Sequence, residues 1–487
     1  MQCAAPGWGR HPHPANRKFG DSIAKIGADA LTERVTPLQF RVLLIAILAS
    51  FVAFLDSSVI NVALPAIDRD LGGGLALQQW VVDAYLVTLG SLILVAGSLS
   101  DVFGRRRVLR VGLAGFAVTS LACALAPSGV FLVAARAAQG VAGALLVPSS
   151  LAIIISTFSG AAQSKAIGRW TAWTGMAAIA GPIIGGLFVD LLSWRYVFAI
   201  NLLPIAITLW LMAGVGRDET RPGGRVDYPG AVLGALGLGA VVFALIEQGQ
   251  YGWAAPHVWI SLTVGILAMA AFFAVQARSS HPMLPFSIFR VHNFWVGNLS
   301  TAAIYGALSF GPFILVLYLQ QVAGFSATEA GIAMIPATLL MLALSGLFGS
   351  LAGKHGPRLF MSVGPAIAAL GFLWMIAMGR SVVYWAQLLP GVLLFGLGLS
   401  ITVAPLTSAI LGSIDPADAG IGSAVNNAVA RVAGLVTVAF AGILIGGALD
   451  HAGMQRAMLA TAVLMLVGSA ISAVGIRNPH AVQTVSD

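Results

Sequence analysis

GSLSDVFGRRRVLRVG runs from Gly97 to Gly112, and its pattern returns at Gly349 to Gly364 as GSLAGKHGPRLFMSVG. Seven of the 16 aligned positions are identical at a constant offset of 252. Each copy joins two apolar runs of about 20 residues, long enough to cross a bilayer as a helix. A charged turn repeated between spanning runs points to two parallel halves related by an axis along the membrane normal. The first copy holds one aspartate, three glycines and three consecutive arginines. The second keeps all three glycines but has Gly353 where the first has Asp101.

Outward from these turns the chain stays oily. Of its 487 residues, 58% are hydrophobic and 9% are charged, against about 25% charged in an average soluble domain. So few charges cannot coat a water-soluble surface, and the fold class expected is an all-α polytopic membrane protein. The 57 glycines fit, because small residues let membrane helices approach closely. The net charge of +8 would suggest nucleic acid in a soluble protein, but here the positions of the charges matter more, and no nucleic-acid partner is expected. The only cysteines, Cys3 and Cys123, offer neither a disulfide framework nor metal-ligand spacing. There is no apolar signal-peptide core at the N-terminus, which reads as a polar tail with a short interfacial helix near Ile23 to Leu31.

Fourteen spanning segments are predicted, starting near Arg41, Trp80, Val108, Val130, Lys165, Val197, Tyr228, Pro256, Asn293, Thr328, Arg358, Val382, Ile421 and Met454. The larger breaks, Gly216 to Gly230 and Ala277 to Asn293, bracket segments 7 and 8 as an inserted pair. The repeat offset matches segments 1–6 with segments 9–14. The organisation is thus a tail over 1–40, a six-helix bundle over 41–216, two linker helices over 217–292, a second bundle over 293–477 and a tail over 478–487. With the N-terminus inside, only Arg69, Arg195, Arg380 and Arg456 of the 26 basic residues fall in outside loops, and Arg136 and Arg431 fall within segments. That bias sets both termini in the cytoplasm. It accounts for the arginines of the opening turn, but not for its glycines or for Asp101.

The motifs resemble those of the major facilitator superfamily, and within it the 14-helix drug:proton antiporters. Gly97, Leu99, Asp101, Gly104, Arg105 and Arg106 match the superfamily's loop 2–3 motif, G-x-L-a-D-x-x-G-R-[RK]. FLDSSVINVALP (Phe54 to Pro65) is similar to the antiporters' helix 1 motif, and RAAQGVAGA (Arg136 to Ala144) to their helix 4 motif. AAIAGPIIGG (Ala177 to Gly186) looks like the helix 5 antiporter motif, with Ala177 in place of its first glycine. WRYVFAINLLP (Trp194 to Pro204) and GSAVNNAVARVAG (Gly422 to Gly434) look typical of the 14-helix branch. The resemblance covers about Arg41 to Arg477. It implies a major facilitator fold of 6+2+6 helices and export of amphipathic organic compounds or drugs in exchange for protons. It implies a latch role for the opening loop, and a role for Ala177, Gly181, Pro182, Gly185 and Gly186 in exchange rather than symport.

Asp56 lies about 16 residues into an apolar segment, where a charged carboxylate costs roughly 2.5–3.5 kcal/mol. It must pair, face a wet cavity or take a proton, and a proton-coupled carrier needs such a group. A fixed hydrogen bond to Ser57, Ser58 or Asn61 is the bland alternative. Arg136 is the natural partner, since both residues fall roughly 10–14 Å from the outer ends of their segments at 1.5 Å per residue. Backbone carbonyls are the bland alternative for Arg136. Asp83 and Arg431 are further candidates for proton coupling: Asp83 is expected near the outer interface with partial solvation, Arg431 deep in segment 13. Glu247 reads as a solvated cap. Asp101 with Gly97, Gly104, Arg105 and Arg106 forms a candidate latch, or only a topology anchor. Ala177, Gly181 and Gly185 share one helix face as a seam for a neighbour, with packing alone as the alternative. Tyr305, Phe310 and Tyr318 are candidates for lining a substrate cavity.

No phosphate-binding GxxxxGK[ST] loop occurs, so ATP is not the direct energy source, and no cofactor or metal is expected. The expected partners are the lipid bilayer, protons and a small amphipathic substrate, and the chain is expected to work as a monomer. The alternatives are proton-coupled uptake of a nutrient, a membrane-embedded enzyme and a sensor. The eight histidines lie in loops and tails without catalytic clustering, and no large soluble domain is attached, which argues against the last two.

Overall fold

A computed structural model of the chain describes residues 36–214, 227–279, 286–415, 419–447 and 449–478. The expected interfacial helix at 23–31 lies outside the described residues, as do parts of both long breaks. The described residues contain no strand. The long helices are α1 (Pro37–Leu71), α2 (Gly74–Phe103), α3 (Arg105–Ala124), α4 (Gly129–Thr157), α5 (Gly160–Leu191), α6 (Tyr196–Ala213), α7 (Tyr228–Tyr251), α8 (Pro256–Arg278), α9 (His292–Gln321), α10 (Ala327–His355), α11 (Pro357–Met375), α12 (Tyr384–Leu411), α13 (Ala419–Ala439) and α14 (His451–Gly475). Thirteen are long and apolar enough to cross a membrane. The other, α2, is 30 residues long and takes its place between two of them.

The predicted starts hold to within a few residues. The largest displacement is at α2, which begins at Gly74 rather than Trp80 because Gln78 and Gln79 are buried inside the protein instead of lying in a loop. Thr36 opens α1 with a reciprocal capping box to Gln39, and Pro37 occupies the first turn, where a missing N–H costs nothing. The repeated turns pivot on glycines of positive φ, Gly104 at 93° and Gly356 at 84°. L side chains rarely adopt that conformation, so each turn needs its glycine.

Helices α1–α6 pack on one another, and α9–α14 do the same. The inserted pair α7/α8 packs on itself, with α7 against α2 and α13. Close approach relies on small residues: a Cβ on Gly371 of α11 would lie 2.5 Å from the Gly391 carbonyl oxygen of α12. Large apolar side chains remain exposed around the outside, among them Leu191, Trp210 and Val474. Water would not tolerate so much apolar surface. The chain is a multi-pass membrane protein.

Both ends of the described chain lie on one face, the terminal face, where Asn293 of α9 exchanges hydrogen bonds with the Arg477 backbone after α14. On the opposite, far face the two bundles are closed against each other. Asp190 of α5 accepts from the backbone N–H groups of Ala327 and Thr328 at 3.0 and 2.8 Å. Gln320 of α9 donates to the Val62 carbonyl of α1 at 3.1 Å, and Gln79 of α2 donates to the carbonyls of Val438 and Ala439. Toward the terminal face α5 and α10 part. A Cβ on Gly175 would reach Leu342 only at 4.0 Å, and beyond that point Trp173 and Leu347 stand about half exposed.

Candidate functional site

The centre of the site is a buried charge pair. Arg136 Nη1 donates to Asp56 Oδ2 at 2.6 Å, with both side chains 1% exposed. The other carboxylate oxygen, Oδ1, accepts from Gln139 Nε2 at 3.0 Å and Asn201 Nδ2 at 2.9 Å. Arg136 Nε is spent on the Val81 carbonyl at 2.9 Å, and its guanidinium stacks over Tyr85 at 4.3 Å. Ser120 accepts from both Gln139 and Asn201. Three helices, α1, α4 and α6, thus meet at one carboxylate, α2 joins through Arg136, and Ser120 of α3 closes the ring. A buried pair survives only when its remaining donors and acceptors are satisfied, and these nearly all are. The bland partners for Asp56 are not used: Ser57 donates to the Ala53 carbonyl instead.

Arg136 and Tyr85 also line a cavity of about 240 Å³ between the bundles. Its walls include Ser57 and Asn61 of α1 and Ser309 and Phe313 of α9. The pair therefore borders the space between the halves through its guanidinium, while its carboxylate is screened. The aromatic candidates on α9 are elsewhere. Phe310 and Tyr318 are fully buried in the second bundle, and the Tyr318 hydroxyl bonds to the Gly379 carbonyl and to His451. Tyr305 is partly buried and is not among the cavity residues. Residues of α9 alternate faces at helical spacing, and Leu308, Ser309, Pro312 and Phe313 form its cavity side.

Asp83 departs from expectation. It is fully buried, not interfacial, and neither carboxylate oxygen has a hydrogen-bond partner among the described residues. It lies one turn from Gln79, which ties α2 to α13, and one turn from Val87, which packs with Val242, Leu245 and Leu435 in an apolar cluster of α2, α7 and α13. The insertion of α7 against α2 removes the solvation that a position one turn inside Trp80 implied. Glu247 is likewise more than a cap: it accepts from Trp80 Nε1 at 3.0 Å and so pins α7 to α2. Arg431 sits deep in α13, opposite Gly90 of α2, and its side chain has no hydrogen bond or ion pair among the described residues.

In the opening loop Arg105 Nη1 donates to the Ala152 carbonyl of α4 at 3.0 Å, tying the α2–α3 turn to the end of α4. The side chain of Asp101 lies outside the described residues. The small-residue face of α5 meets α1: a Cβ on Gly181 would lie 2.7 Å from Ser58 Cβ, and one on Gly185 would lie 2.6 Å from a Val59 methyl. Ala177 is buried on the same face. Gly186 and Pro182 face α10 instead, Gly186 against the Thr328 backbone and the Pro182 carbonyl against Gly331. The motif therefore serves two seams, one within the first bundle and one between bundles.

Gln139, Asn201, Ser120 and Tyr85 were not singled out from the sequence. Two signals were available. Gln139 lies three residues after Arg136 and so shares its helix face, and Asn201 is a polar residue inside an apolar run, where an uncompensated amide is costly.

The sequence pattern of the Major Facilitator Superfamily matches residues 46–438. The chain is 35% identical to the cephamycin export protein of Amycolatopsis lactamdurans, across 80% of this chain and 82% of that protein. It is 34% identical to the puromycin resistance protein of Streptomyces alboniger, across 85% and 83% of the two chains. Among solved structures it resembles the xylose transporter from E. coli in an inward-open conformation, with a TM-score of 0.61 at 14% identity over 91% and 97% of the chains.

Proposed function

Because the chain belongs to the major facilitator superfamily, we propose that it is a proton-driven antiporter that exports amphipathic organic compounds across the cytoplasmic membrane, with both termini inside. Its similarity to proteins named for antibiotic export and resistance supports the substrate class. The observation that carries the coupling is the Asp56–Arg136 pair, whose guanidinium also forms the wall of the space between the bundles.

While Asp56 is ionised, Arg136 is compensated and the cavity wall is electrically quiet. A proton on Asp56 cancels the partner charge, and arginine cannot release its own. The wall then carries an uncompensated cation in a low-dielectric site, which disfavours a bound cationic guest. Proton and substrate thus compete through one charge pair without sharing an atom, which is the logic of exchange. A membrane potential adds about 2.3 kcal/mol per charge per 100 mV to the drive.

The other candidates take supporting roles in this reading. Asp83, unpartnered between α2, α7 and α13, is a second proton carrier at the far-face seam, and Arg431 supplies charge across the same interface. The opening loop with Asp101, Arg105 and Arg106 latches the terminal face. Gly181, Pro182, Gly185 and Gly186 let α5 close the far face tightly enough to prevent leak. The chain works as a monomer of two six-helix bundles with α7/α8 inserted. The test is transport in proteoliposomes under an imposed pH gradient, screened over cationic dyes and antibiotics. Export against the proton flow is expected. Substrate moving in the same direction as protons would make it an uptake carrier and overturn the reading.

A further inference from the structure

The two repeated turns differ in what surrounds them. In the first bundle Arg106 and Arg110 pack tightly against α1, α4 and α6. Arg106 and Arg110 enclose only about 10 Å³ with Val42, Ile45, Ile153 and Met212, and Arg41 donates to the Gly214 carbonyl at 3.3 Å. At the offset of 252, Asn293 replaces Arg41, Pro357 replaces Arg105, Ser362 replaces Arg110 and Gly353 replaces Asp101. At the terminal-face ends of α9, α10, α12 and α14 the second bundle holds a cavity of about 880 Å³.

The lining of that cavity includes His292, Lys354, His355 and Arg477, and among the described residues it contains no carboxylate. The side chains of Lys354 and Arg477 make no hydrogen bond or ion pair among the described residues. The Arg477 backbone is fixed by its paired bonds to Asn293, so the base of its side chain is held at the rim. Topology explains why basic residues gather on this face. It does not explain a roomy basic cavity in the half with fewer arginines at its turn.

We infer that this cavity binds a phosphate-bearing anion, either the headgroup of an anionic phospholipid or free inorganic phosphate, through Lys354 and Arg477. Loss of the acid at Gly353 leaves the cations uncompensated, and an arginine fork with a lysine point charge suits a tetrahedral oxyanion. The site lies at the ends of spanning helices, at headgroup depth, where basic pockets recruit anionic lipid. The inference does not depend on the direction of transport.

The test uses the full chain purified in a neutral detergent, with its thermal midpoint followed on titration with phosphatidylglycerol, phosphatidylcholine or sodium phosphate at matched ionic strength. The variants are Lys354→Gln/Arg477→Gln and a charge-matched control on the same face, Arg107→Gln/Arg169→Gln. Phosphatidylglycerol is expected to raise the midpoint of the wild type and of the control. In the Lys354→Gln/Arg477→Gln protein its apparent affinity should fall roughly thirtyfold. A response to phosphatidylglycerol alone assigns the lipid headgroup, and an added response to sodium phosphate assigns an open phosphate site. No response to either probe, an equal response to phosphatidylcholine, or the same affinity in the Lys354→Gln/Arg477→Gln protein would overturn the inference.

Discussion

Arg136 spends Nη1 on Asp56 at 2.6 Å and Nε on the Val81 carbonyl at 2.9 Å, so one guanidinium joins the carboxylate of α1 to the backbone of α2. Any change in the charge of Asp56 is therefore felt by the helix that forms the seam with the second bundle.

This pairing predicts a strong asymmetry between single and double substitutions. Removing one partner of a buried pair leaves a stranded charge or its unmet bonds and costs about 3–5 kcal/mol. Arg136→Ala should therefore lower the thermal midpoint sharply. Arg136→Ala combined with Asp56→Asn should recover part of the loss, because neither charge is then stranded. A double-mutant cycle on purified protein checks this, and purely additive losses would mean the two side chains do not depend on each other.

At Asp83 the expectation is opposite in sign. A buried carboxyl with both oxygens unpartnered costs stability wherever it sits. Asp83→Leu should thus raise the thermal midpoint and hold the α2–α13 seam shut, slowing turnover. A drop in midpoint with normal turnover would show that the carboxyl neither strains the seam nor takes part in its opening.

Far-face closure should depend on Gly186. A Cβ there would come within 2.5 Å of Thr328 Cα, and backbone cannot swing aside as a side-chain tip can. Gly186→Val should keep α5 and α10 apart. Thiol labelling of a cysteine introduced at Thr328, in the Gly186→Val background and in its absence, reads this out. Labelling from the far side should rise several-fold with valine present.

The repeated turns make a matched pair of predictions. Gly104 and Gly356 both hold positive φ, so alanine at either should cost about 1–3 kcal/mol of backbone strain. Arg105→Ala loses the tie to Ala152. It should leave membrane levels intact while lowering transport. Normal transport would reduce that loop to a topology anchor.

Helix number, order and the two-bundle plan were legible because lipid demands long apolar runs and because the turn repeats. The depth argument placed Asp56 and Arg136 together, since rise per residue is a constant of the helix. It could not rank Gln139, Asn201 and Ser120, because the ring around Oδ1 is assembled from helices far apart in sequence. Asp83 and Glu247 were misread for one shared reason. The predicted linker pair carried no docking information, and the packing of α7 on α2 buries one and recruits the other. The aromatic candidates on α9 do not line the cavity bordered by Arg136, and apolar residues spread around that helix, so no clear periodicity separates its core side from its cavity side.

The central claim is that the proton carried during exchange sits on Asp56. The direct measurement is simultaneous proton and substrate flux in proteoliposomes, comparing wild type with Asp56→Asn and Asp56→Glu after folding is verified. The account predicts that Asp56→Asn abolishes pH-driven net export while substrate-for-substrate exchange persists, and that Asp56→Glu keeps partial export with a shifted pH profile. Undiminished proton-coupled export by Asp56→Asn would contradict it.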